Sequence, residues 1–158
     1  MSTQKDLFEQ WLLELNHQWG VDCLKLSSTM RCHLTVGRSK VSFALSPDER
    51  EILLWSAVTS ADRFLKDREL LTNLLILNCS EVSLGGTTFS IDQDRRYILL
   101  NYRAPIKILD AQELGNLLWN FAEAASNAER VLVDAPLQSD SSDHASPLAN
   151  NHLHIMRP

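Results

Sequence analysis

Histidine and cysteine are the side chains of this sequence best suited to hold a metal or to act as nucleophile and base. There are five of the first and three of the second. His144, His152 and His154 fall in a polar C-terminal stretch with no rigid element to fix imidazoles in the geometry that coordination requires. His17 and His33 belong, by the surrounding pattern, late in a helix and on the polar face of a strand. Cys32 precedes His33, and neighbours along a strand point to opposite faces, so this pair cannot work together as nucleophile and base. No serine stands in a nucleophile-elbow sequence. Cys23, Cys32 and Cys79 are odd in number, lack CxxC spacing and read as structural thiols of a reducing compartment. Gly85-Gly86 lacks the GxxxxGK[ST] continuation of a phosphate loop and leads into Thr87, Thr88 and Phe89, a strand pattern, so it serves a turn. The acidic residues each have a place as a cap, a turn or a solvated face. No catalytic residue, metal ligand or cofactor is assigned.

Those side chains must be carried by a chain of 158 residues, enough for one domain with its own core. A net charge of -5, without a basic run or basic-aromatic stretch, argues against nucleic acid as a partner. The opening MSTQKDLFEQW places Asp6 and Glu9 among its first apolar residues, unlike a signal peptide. No stretch approaches the roughly 20 apolar residues of a spanning helix. The expectation is a cytoplasmic protein that does not insert into membranes.

From Thr3 to Trp19, Leu7, Phe8, Trp11, Leu12, Leu15 and Trp19 form one stripe of a helix, with Thr3 and Asp6 as a capping box and Gly20 as the stop. Met30, Cys32, Leu34 and Val36 then alternate with polar residues, Gly37 and Arg38 turn the chain, and Val41, Phe43 and Leu45 alternate again. Glu51 to Thr59 is apolar on both faces, Leu53, Trp55 and Ala57 against Ile52, Leu54 and Val58, as expected of a central strand. Asp67 to Asn78 returns to helix. Strands follow at Thr87 to Asp92 and Arg96 to Tyr102, the second again apolar on both faces. Asp110, with Glu113 three residues on, caps a third helix whose stripe runs from Leu114 to Leu132. The fold class is α+β, α-β-β-β-α-β-β-α, with an antiparallel twisted sheet and helices packed on it. Residues 1–135 form the domain, and 136–158 are too polar to pack and form a flexible tail.

The remaining peculiarity is apolar excess. Leu70, Leu71, Leu74, Leu75, Ile76 and Leu77 cover more of the second helix than a helix lying on a sheet can bury, so either the domain encloses this helix or a second copy of the chain packs against it. Such residues read either as ordinary core or, where they form a large exposed patch, as a protein-binding surface.

From Lys5 to Leu132 the sequence resembles the class I type III secretion effector chaperones, the CesT/SycE-like family. The resemblance rests on an amphipathic first helix feeding a three-strand meander, on LLTNLLILN at Leu70 to Asn78, and on Leu84-Gly85-Gly86 followed by Phe89, Ile91 and Asp92. It implies a homodimer with Leu70, Leu71, Leu74, Leu75 and Asn78 at the seam. It also implies a bacterial cytoplasmic chaperone that holds the N-terminal region of a secreted effector in extended form, and an export ATPase as a further partner. The effector-binding positions it suggests are Leu7, Trp11, Met30, Leu34, Val41 and Phe43. The alternatives are a dimeric regulatory or scaffold protein of the same fold and, less favoured, a small enzyme with a site assembled from scattered residues.

Overall fold

A computed structural model describes residues 3–79 and 85–134. The elements are α1 (Gln4–Trp19), β1 (Arg31–Val36), β2 (Ser39–Leu45), β3 (Glu51–Ser60), α2 (Asp62–Lys66), α3 (Arg68–Leu77), β4 (Thr88–Ile91), β5 (Tyr97–Pro105), a 3-10 turn (Ile106–Ile108) and α4 (Ala111–Asp134). The expected tail, with His144, His152 and His154, and Leu84 of the resemblance lie outside the described residues.

The strands form one antiparallel sheet in the order β1-β2-β3-β5-β4. The expected α+β architecture is present, and β3 is indeed the central strand. Alternation decides which residues meet the helices: Cys32 and Leu34, Val41 and Phe43, Ile52 and Leu54, and Ile98 and Leu100 all turn to one side and are buried. α4 lies across β2 and β3 on that side, and α1 packs beside α4. Phe8 of α1 stands edge-on to Phe43 at 6.2 Å between ring centres, which ties helix to sheet.

Both long helices begin as the sequence requires. The Thr3 hydroxyl accepts from the Asp6 amide and the Asp6 carboxylate accepts from the Thr3 amide, and Gly20 ends α1 in the left-handed conformation at φ 65°. Asp110 and Glu113 form the same reciprocal pair at the start of α4.

Two elements differ from expectation. The short α2 was not foreseen, because five residues are too few to show a helical period; it buries Phe64 in the core. β5 continues beyond Tyr102 to Pro105, where it still pairs with Glu51 of β3.

Candidate protein-binding surfaces

α3 is anchored inward by Leu70, Leu74 and Leu77. Its other side carries Leu71, half-buried, with Leu75 at 57% and Ile76 at 60% exposure. The helix therefore splits the five residues expected at a seam between copies. Leu71 and Leu75 face outward, whereas Leu70 and Leu74 are the attachment of the helix to its own domain. Asn78 has work inside the chain: its Nδ2 donates to the Phe89 carbonyl at 2.9 Å and its Oδ1 accepts from the Phe89 amide at 2.7 Å. A side-chain amide here imitates the next strand and covers the outward groups of Phe89 on the rim of β4.

At the opposite rim, the connection from α1 is held by Asn16, whose Nδ2 donates to the Leu24 carbonyl at 2.9 Å and whose Oδ1 accepts from the Leu24 amide at 3.0 Å. Ser27 then covers the first outward groups of β1: its amide donates to the Arg31 carbonyl at 2.8 Å, and its hydroxyl accepts from the Arg31 amide at 3.2 Å. Outward groups recur at every second residue, so those of His33 and Thr35 follow, and no described strand pairs with them. Both side chains are exposed, and the His33 ring Nδ1 sits 2.8 Å from the Ser42 hydroxyl.

The residues expected to bind an effector are divided by burial. Val41 and Phe43 are fully buried, and Trp11 and Leu34 are nearly so. As core side chains they have little surface to offer: strand parity turns Leu34, Val41 and Phe43 toward α1 and α4, and Trp11 lies on the buried stripe of α1 itself. Leu7 and Met30 are half-buried at the margin of the core. The missed position, Asn16, had no local signal beyond an amide near the end of a helix, and the pairing of Asn78 with Phe89 had none in its own stretch.

Little here favours acid-base chemistry. Asp6 and Asp48 titrate below the usual carboxylate range, Asp6 held first by the Thr3 backbone amide and Asp48 by the Ser46 hydroxyl; both act as caps of exposed turns. Burial pushes the Cys32 thiol up, away from the thiolate a nucleophile needs. A cleft of about 200 Å³ between α1 and α4 is lined by Trp19, Trp119 and the amides of Gln18, Gln112 and Asn116, with no titratable group among its walls. Among the described residues no cluster of three or more His, Cys, Asp or Glu is placed to hold a metal, and no helix is long and apolar enough to cross a membrane.

The profile of the Tir chaperone protein (CesT) family matches residues 10–145. No curated protein matches the sequence. Among solved structures, the ExsC-ExsE complex contains a chain with a TM-score of 0.71 and 18% identity, covering 88% of this chain and 100% of that one. The HopA1-SchA chaperone-effector complex gives 0.61 at 10% identity, with 78% and 91% covered. The Yersinia pestis type III secretion chaperone SycH, bound to a stable fragment of YscM2, gives 0.57 at 17% identity, with 76% and 98% covered. At these identities the likeness is one of fold.

Proposed function

Since the chain belongs to the Tir chaperone protein (CesT) family, we propose that it is a class I type III secretion chaperone of the bacterial cytoplasm. It homodimerises and keeps the N-terminal segment of a secreted effector extended, soluble and ready for export, without catalysing a reaction. The observation that carries this reading is the free rim of β1, which keeps the outward groups of His33 and Thr35 for an added strand, whereas at β4 those of Phe89 are already taken by Asn78. Strand addition gives sequence-tolerant affinity through main-chain hydrogen bonds, and flanking apolar side chains give selectivity. Leu7 and Met30 are the flanking candidates that remain at the surface. Solved relatives of this fold include chains described as bound to effectors, which supports the same use here. Dimerisation is assigned to the outer side of α3, where Leu71, Leu75 and Ile76 gain cover from a second copy. Each large apolar side chain fully buried contributes about 1.5–3 kcal/mol, from which the cost of association is subtracted.

The test is recovery of tagged full-length protein from its native host, with partner mapping by protease digestion and mass spectrometry. The expected result is a larger protein held through its N-terminal segment, two copies of this chain to one partner. A partner held through a folded domain would indicate the regulatory alternative, and a monomer that retains no polypeptide would overturn the chaperone reading.

A further inference from the structure

The sheet has a second face, and no described helix is set against it. β3 and β5 are apolar there too: Leu53, Trp55, Ala57 and Leu99 form its centre, half-buried or exposed. Among the strand residues on this face only Ala44 is buried. In a chain of net charge -5 its rim is nevertheless basic. In one cross-strand row, Arg31 of β1 pairs with Ala44, Ala44 with Leu53, and Leu53 with Arg103 of β5, so two exposed guanidinium groups bracket an apolar centre. Lys40 stands on the same face of β2. The Arg31 guanidinium lies over the Trp55 ring at 5.6 Å. The acidic strand residue on this face is Glu51, whose carboxylate is 3.6 Å from the Arg103 guanidinium, leaving the face with a surplus of positive charge.

We propose that this face docks an acidic, apolar segment of the partner polypeptide, crossing the strands with carboxylates toward Arg31 and Arg103 and an apolar side chain over Leu53 and Trp55. The identity of the partner rests on the chaperone reading; the chemistry of the face does not. Three strand spacings separate the two arginine backbones, about 14 Å, which an extended peptide covers in about four residues. Residues four apart in an extended peptide point the same way, as does the one between them. The fitting pattern is therefore acid, any, apolar, any, acid.

The probe is a fluorescein-labelled synthetic peptide carrying Glu-Ser-Leu-Ser-Glu, compared with one carrying Lys-Ser-Leu-Ser-Lys. Binding is measured by anisotropy at low and high salt on the full chain, on the double variant Arg31→Glu with Arg103→Glu, and on Trp55→Ser. Wild type is expected to prefer the acidic peptide by about tenfold at low salt, with the preference reduced by added salt. The double variant, whose altered side chains are exposed, is expected to reverse the preference, and Trp55→Ser to weaken both peptides. Equal binding of the two peptides, no binding, or a wild-type preference in the double variant overturns the proposal. So does conversion of the double variant from dimer to monomer, which would make the face a contact between copies. Recovery of the native partner equally by wild type and double variant overturns the face and leaves the chaperone reading standing. Peptide preference without any native partner retains the face and removes the chaperone reading.

Discussion

Asn78 shows how one side chain can be visible in a sequence while the work it does inside the chain is not. Its place at the end of LLTNLLILN suggests a seam between copies, but its amide is committed to a strand eleven residues further on. Nothing in a local pattern encodes that pairing. The capping pairs Thr3 with Asp6 and Asp110 with Glu113 were legible because both partners lie within one helical turn. The Asn78→Ala variant is expected to lose about 1–3 kcal/mol, since the Phe89 amide and carbonyl are then left without partners in a partly buried site. Chemical denaturation measures the loss, and amide exchange at Phe89 should quicken more than exchange in α1. Trp11, Val41 and Phe43 teach the complementary lesson. Trp11 lies on the apolar stripe of α1 and Val41 and Phe43 alternate along β2, but neither period says by itself whether an apolar face meets the chain's own core or a partner.

Among the elements, helices and strands with a clear period were legible, and α2 was not. The apolar character of both faces of β3 and β5 was also readable, and the sheet order explains it only in part. A central strand needs cover on the side where α4 lies, whereas Leu53, Trp55 and Leu99 point to the other. The approach of α1 to α4 depends on a residue with no side chain. A Cβ on Gly115 would stand 2.9 Å from Leu15 Cδ2 and 3.2 Å from the Trp19 ring. Leu15 is buried and cannot swing away freely. Gly115→Val is therefore expected to cost about 1–3 kcal/mol through overpacking, read as a lower melting temperature with the helical signal retained at low temperature. Nothing in the sequence of α4 alone distinguishes this glycine from a tolerated flaw in a long helix.

For the whole molecule, the exposed side of α3 makes a prediction separable from stability. Replacing Leu75 and Ile76 together by Glu changes side chains that the single chain leaves mostly in solvent. Light scattering is expected to show a monomer where the wild type is a dimer, while circular dichroism stays unchanged. A dimer that persists in this variant would place the contact elsewhere. The resemblance suggested this surface from the LLTNLLILN stretch, of which the chain's own core uses Leu70, Leu74 and Leu77.

The partly covered rim of β4 has a consequence for valency. A sheet with two receptive rims can be joined head to tail without end, which is how native folds seed fibres. Here the Phe89 groups are already bonded within the chain, so the four-residue β4 offers a neighbour at most its Ile91 end, and head-to-tail joining is disfavoured relative to rim-to-rim joining through β1, which stops at a pair. A protein whose task is to hold extended chains at high local concentration is thereby biased toward pairs and away from filaments: each copy offers a longer berth at β1 and only a stub at β4.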